Sequence, residues 1–163
     1  MNIMKSAAVA VAAIVSASGT SQAQDLRLLS SWDSSYAAVS EVLVPFVEAL
    51  KEKTAADIDI NVMGPETVPP FEQLDPVGRG LFDMLFTNGA YHFNEISVGM
   101  TLDAMSGDTE ALREGGVWQA ADARYQEMGL KLIAVLYDLN GYHIMLKEPV
   151  TGDGLAGRRI RGT

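Results

Sequence analysis

The chain has 163 residues, 48% of them hydrophobic, with a formal net charge of −9 and no cysteine. That apolar share belongs to a globular chain rather than a disordered one. The acidity argues against a nucleic-acid or anionic-membrane surface. The missing thiols exclude disulfides, thiolate zinc sites and a lipid anchor on cysteine.

Residues 1–23 have the layout of a secretory signal peptide: Lys5, then an apolar run from Ala7 to Val15, then Ser21-Gln22-Ala23 as a small-x-small cleavage signal. The run is short of the ~20 apolar residues a membrane span needs. Cleavage is expected after Ala23, giving a product outside the cytoplasm, in the periplasm, with no direct membrane insertion.

Leu26 to Leu29 reads as a short buried strand. Ser30 to Ser35 is a polar loop rich in helix-capping residues. A helix follows to about Lys53, with Val39, Val42, Leu43, Phe46, Val47 and Leu50 on one face. Pro45 should kink or break it. Ile58, Ile60 and Val62 alternate with polar residues, which is strand periodicity. A proline-rich loop from Met63 to Pro70 precedes a short helix, Phe71 to Gly80, weakened by Pro76.

Phe82 to Phe86 reads as a further strand, ending at Thr87-Asn88-Gly89. Asp108 caps a long predicted helix to Met128, with Leu112, Trp118, Ala121, Tyr125 and Met128 inward and Gly129 as its left-handed terminator. Leu130 to Tyr137 is a predicted strand, Asn140-Gly141 a turn, and Tyr142 to Leu146 another strand. The alternation of strands and helices predicts an α/β domain with a largely parallel sheet. Ligands in such sheets sit beyond the carboxyl ends of the strands. Three polar loops fall at such ends: Ser30 to Ser35, Thr87 to Tyr91, and Asp138 to Gly141.

Motifs for chemistry are sparse. His92 and His143 lack partners at metal-ligand spacing, and no Gly-x-Ser-x-Gly elbow, dinucleotide fingerprint or Walker loop occurs. No cofactor, metal or enzymatic role is expected. A periplasmic hydrolase built on His92 or His143 is the remote alternative. Arg161 offers a planar fork that fits a carboxylate in two parallel hydrogen bonds, or serves in a surface ion pair. Trp32 and Phe86 flank a ligand or belong to the core. Asn88 contacts a ligand or shapes the turn with Gly89.

Four segments occur in order: Gly80-Leu-Phe-Asp-Met84, Gly129-Leu-Lys-Leu132, Lys147-Glu-Pro-Val150, and Gly154-Leu-Ala-Gly-Arg-Arg-Ile-Arg161. With the exported leader and the first strand, loop and helix, the chain resembles the substrate-binding proteins of tripartite ATP-independent periplasmic (TRAP) transporters, the DctP-type family. The resemblance runs across essentially all of the chain after the leader. The last segment is its most specific part.

The resemblance implies a two-lobed, type II-like periplasmic-binding-protein fold that closes on its ligand by a hinge. Here it would comprise a signal peptide (1–23), a first lobe (24–139), and the hinge crossover with opening strands of a second lobe (140–163). The chain thus reads as the front part of a longer receptor. Such receptors capture a small organic acid and deliver it to a membrane TRAP permease. By resemblance Arg161 pairs with the ligand carboxylate, Asn88 contacts the ligand, and Ser31 and Trp32 border the cleft. His143 stands where many members carry a second arginine, which points away from a strongly dianionic ligand. A ligand-sensing subunit of a signalling system is the other function that suits the same fold.

Overall fold

The computed structural model describes residues 24–105, 108–136, 146–150, 152 and 154–159. The leader, His143 and Arg161 therefore lie outside the described residues. So do the turn at Asn140-Gly141 and most of the strand expected over Tyr142 to Leu146.

Three parallel strands form the sheet: β1 (Gln24–Ser30), β2 (Ile58–Met63) and β3 (Met84–Phe86), in the order β2-β1-β3. β1 lies in the middle, with Leu28 opposite Val62 on one side and Met84 on the other. A central parallel strand is covered on both faces and so reads as a continuous apolar run. Leu28 and Leu29 obey this: they point to opposite faces and both are fully buried. Removing each from water contributes roughly 1.5–3 kcal/mol. β3 is shorter than the predicted Phe82–Phe86. The Asp83 carboxylate takes the Arg27 N–H at 2.8 Å, and the ladder begins one residue later.

One face of the sheet carries Leu28, Ile60, Met84 and Phe86, packed against Val39, Leu43 and Val47. The helix over this face is interrupted. A π-helical turn, Val39–Leu43, runs into α1 (Val44–Lys53), and the Val44 N–H reaches back five residues to the Val39 carbonyl. Pro45 has no N–H to give an α ladder, and its ring crowds the carbonyl four residues earlier. The wider turn moves that crowding out of the helix body and leaves Pro45 in the first turn of α1. The predicted apolar stripe is only half used: Val39 and Leu43 are buried, whereas Val42 and Phe46 are exposed. The capping expected of the Ser30–Ser35 loop is also absent. Asp33 instead closes a turn on itself, accepting the Ser35 N–H at 2.8 Å.

The other face carries Leu85 and is covered by α2 (Leu74–Gly78), α3 (Val98–Asp103) and α5 (Val117–Gln126), with Leu74, Ile96 and Tyr125 at the centre. The long helix expected from Asp108 to Met128 is two helices, α4 (Thr109–Glu114) and α5. Gly116 separates them at φ 77°, a left-handed conformation that only glycine adopts without strain. The predicted inner residues hold nonetheless: Leu112, Trp118, Ala121 and Tyr125 are buried. Asp108 caps α4 through the Ala111 N–H, and the Arg113 guanidinium lies 3.8 Å over the Trp118 ring. Gly129 ends the segment in a left-handed turn, as expected.

Leu130 to Leu136 is not a strand. Two of its amides are engaged elsewhere: Leu130 N–H donates to the Tyr125 carbonyl, and Leu132 N–H to Asp122 Oδ1 at 2.9 Å. Asp122 also accepts from Lys131 Nζ and from Gln126 Nε2. These bonds, led by Lys131, hold its carboxyl below the usual range. The segment is thereby tied to α5 rather than to β3. Among the described residues no helix is long and apolar enough to cross a membrane.

Candidate functional site

The chain leaves β1 toward the α1 face and leaves β3 toward the opposite face. Connections that diverge between adjacent parallel strands open a crevice at the strands' carboxyl ends, the usual ligand position in such sheets. Here the crevice lies where Ser30-Ser31-Trp32 and Thr87-Asn88 emerge side by side. The Ser31 N–H donates to the Phe86 carbonyl at 2.9 Å, which joins the two exits.

The floor of the crevice is a closed polar network. Ser31 Oγ donates to Gln73 Oε1 at 2.6 Å and shares a second bond of 2.7 Å with Thr87 Oγ1. A hydroxyl carries one proton, so Thr87 is the donor in that second bond. Gln73 is 1% exposed, and its Nε2 donates to the Ser30 carbonyl at 3.2 Å and the Val68 carbonyl at 2.9 Å. Both ends of this amide are engaged, which fixes its orientation. Ser30 Oγ donates to the Trp32 carbonyl and accepts from the Trp32 N–H.

The rim is aromatic. Trp32 stacks on Tyr36 with ring centroids 5.4 Å apart and planes 8° from parallel, and it rests edge-on against Phe86. Its indole N–H donates to the Tyr91 hydroxyl at 3.2 Å. Tyr91 in turn meets Phe71 at 4.9 Å. Asn88 opens the 3₁₀ turn Gly89–His92 by accepting the Ala90 N–H on Oδ1 at 2.8 Å. Its Nδ2 makes no hydrogen bond among the described residues. The two sequence readings of Asn88 are therefore compatible: its oxygen shapes the turn, and its nitrogen is a donor that no described residue occupies.

A glycine contact sets the position of this turn. A Cβ on Gly89 would fall 2.4 Å from the Gly99 carbonyl carbon. One on Gly99 would fall 2.7 Å from both Gly89 Cα and the Tyr125 hydroxyl. Only hydrogens let the two backbones meet at this distance, and the approach draws α3 under the rim.

His92 is buried below it, with Nε2 3.0 Å from the Tyr125 hydroxyl. Burial holds the imidazole below its ordinary pKa, with the Glu95 charge pulling the other way. Burial, helped by the Asp103 charge, pushes Tyr125 up to about 12. Both groups are thus neutral near pH 7. His92 faces a phenol rather than a serine or threonine nucleophile. Among the described residues no cluster of three histidine, aspartate or glutamate side chains is placed to hold a metal ion. A separate open cavity of about 410 Å³ is lined by Phe93, Glu95, Ser97, Thr101 and Arg124, but Arg124 is already paired with Glu127 at 2.7 Å.

Of the site residues expected from sequence, Ser31, Trp32 and Asn88 come together at the crevice; Arg161 and His143 lie outside the described residues. The loop Asp138 to Gly141 also lies outside them. Ser31 differs in detail from a ligand contact, because its hydroxyl is committed to Gln73 and Thr87. Gln73, Tyr36, Phe71 and Tyr91 were not singled out from sequence. One signal pointed to Gln73, an uncharged polar residue beside Leu74 in a predicted helix. Tyr91 closes a loop already marked as lying at a strand end.

No family model matches the chain. Two solved structures align with 66% of it. One is a TRAP transporter solute-binding protein from Bordetella bronchiseptica RB50, with copurified calcium and picolinate at its active site, at TM-score 0.59 and 15% identity. The other is a TRAP periplasmic solute-binding protein from Rhodobacter sphaeroides in an apo open state, at TM-score 0.58 and 20% identity. The chain covers 34% and 36% of their lengths, about a third of each. The α/β fold of this chain is that of part of a two-lobed TRAP solute-binding protein.

Proposed function

We propose that the chain is the ligand-capturing part of an extracytoplasmic solute receptor that takes up a small organic acid and hands it to a TRAP permease. The observation that carries this reading is the arrangement at the β1 and β3 exits, where Asn88 Nδ2, a donor that no described residue occupies, lies beside polar side chains bonded to one another. The Bordetella neighbour holds picolinate, itself a carboxylate, and the Rhodobacter neighbour is periplasmic. Both agree with the leader-like residues 1–23. In this reading residues 24–139 form the first lobe and 140–163 begin the second.

Capture involves no bond-making. The open crevice admits the acid, Asn88 Nδ2 donates to it, and Arg161 pairs with its carboxylate from the second lobe. Closure about the hinge expels water and presents a new surface to the permease. Exclusion of water strengthens the pairing, since the same charges attract more weakly in a high-dielectric medium. His92 has no catalytic part in this scheme: it is buried, and its Nε2 meets the Tyr125 phenol rather than a nucleophile.

Titration calorimetry with a panel of small carboxylates tests the proposal; saturable binding with a one-to-one stoichiometry supports it, and no heat at millimolar ligand sinks it. Arg161→Ala should weaken binding by roughly a hundredfold to several thousandfold, the equivalent of losing a desolvated charge pair worth ~3–5 kcal/mol. Arg161→Lys should also bind poorly, because one ammonium cannot reproduce the two-pronged fork.

A further inference from the structure

The rim of the crevice carries more aromatic surface than local packing accounts for. Tyr36 and Phe71 are 52% and 64% exposed. Each nevertheless holds a fixed place against an inner ring, Tyr36 on Trp32 and Phe71 on Tyr91. The inner rings meet each other at 5.8 Å and share the indole-to-phenol hydrogen bond. Tyr36, Trp32, Tyr91 and Phe71 thus form one continuous wall, and Phe86 supports Trp32 edge-on.

The wall stands beside very few spare polar groups. Ser31, Gln73 and Thr87 are bonded to one another, and Ser30 is bonded to the Trp32 backbone. At this edge the side-chain amide and phenol donors that no described residue occupies are Asn88 Nδ2, the Tyr36 O–H and the Tyr91 O–H, the last on an oxygen that accepts from Trp32. Asn88 and Tyr91 belong to the same short turn, which brings two of these donors together. A polyhydroxylated acid would bring many hydroxyls to a surface that can answer few of them, and unanswered polar groups oppose burial. A flat ring with a single carboxylate needs partners at one end only, and its faces gain from offset or edge-on contact with other rings.

We infer that the crevice selects acids with a planar aromatic or heteroaromatic body, the ring lying on the Tyr36–Trp32–Tyr91–Phe71 wall and the carboxylate directed to Asn88 Nδ2 and the Tyr91 O–H. This rests on the receptor reading proposed above and narrows its ligand to one chemical class. Tyr36 and Phe71 then set specificity, because they are the rings with faces left over.

The test is calorimetric titration of the full chain with benzoate, picolinate, succinate and galacturonate. Benzoate or picolinate should bind at least about tenfold tighter than the two non-aromatic acids. Tyr36→Ala and Phe71→Ala should each weaken that binding by roughly three- to tenfold, with unfolding midpoints held. Equal or tighter binding of succinate or galacturonate would overturn the aromatic assignment while leaving the receptor reading standing. So would unchanged benzoate affinity in the Tyr36→Ala, Phe71→Ala double variant. Failure of all four acids to bind would bring down both.

Discussion

The floor and the rim of the crevice are made from the same short loops, yet they handle polar and apolar groups in opposite ways. The floor buries Ser31 and Gln73 and engages every one of their side-chain donors. The rim leaves an amide and two phenol protons without a partner among the described residues and exposes two rings. A satisfied buried network fixes geometry, and groups left over at its edge are what a ligand can meet. Substitutions in the floor should therefore act on stability, and substitutions in the rim on binding.

The largest effect is expected at Gln73. Gln73→Ala takes the side-chain donor from the Ser30 and Val68 carbonyls at a buried position and leaves the Ser31 hydroxyl with Thr87 alone; it should destabilise the chain by about 2–3 kcal/mol, read as a lower urea midpoint. A loss below about 0.5 kcal/mol would mean that the floor is not a closed network. Gly99→Ala, at the join between rim and α3, should cost about 2–3 kcal/mol from overpacking against Gly89 and Tyr125. Wild-type stability in that variant would show that the two backbones are farther apart than described.

The third test uses acid. His92 has a depressed pKa in the folded chain, so unfolding takes up a proton in the interval between the folded and unfolded values. Stability from this group is complete above about pH 6.5 and is lost as pH falls toward the folded value, with a slope of at most about 1.4 kcal/mol per pH unit. Tyr125, Glu95 and Asp103 are the titratable groups around it; Glu95 opposes the shift, and Tyr125 stays protonated throughout this range. His92→Phe should flatten the slope between pH 6.5 and 5, as followed by thermal melts at several pH values. An unchanged slope would place the titration elsewhere. The smallest stability effect belongs to Phe71. Phe71→Ala should move the urea midpoint by less than about 0.5 kcal/mol; a larger shift would make the rim part of the core.

Much of the fold was legible because its signals are local. Alternation in Ile58, Ile60 and Val62 marks β2, the apolar run at Leu28 and Leu29 marks the central strand, and Gly129 marks a left-handed turn. What escaped depends on partners distant in sequence. Leu130 and Leu132 suit a strand by composition, but α5 diverts their amides, Leu130 to the Tyr125 carbonyl and Leu132 to Asp122. The break at Gly115-Gly116 interrupts a stretch whose spacing of Leu112, Trp118, Ala121 and Tyr125 is otherwise that of one helix. In the candidate site, Asn88 and the Ser30–Ser35 loop were marked by their place after strands, and Ser31 within that loop by the resemblance alone. Gln73 and Phe71 come from the connection between β2 and β3. Their arrival at the crevice depends on the crossover past β1, which no window of sequence contains.

The chain has two tryptophans, and they occupy very different surroundings. Trp118 is buried beneath the Arg113 guanidinium, whereas Trp32 is half-buried among the rim's rings. Emission quenched by acrylamide should come chiefly from Trp32, and a ligand in the crevice should shield that fraction while leaving the other unchanged. The native protein thus carries its own optical gauge of occupancy, with no label to attach and a second indole as the internal reference.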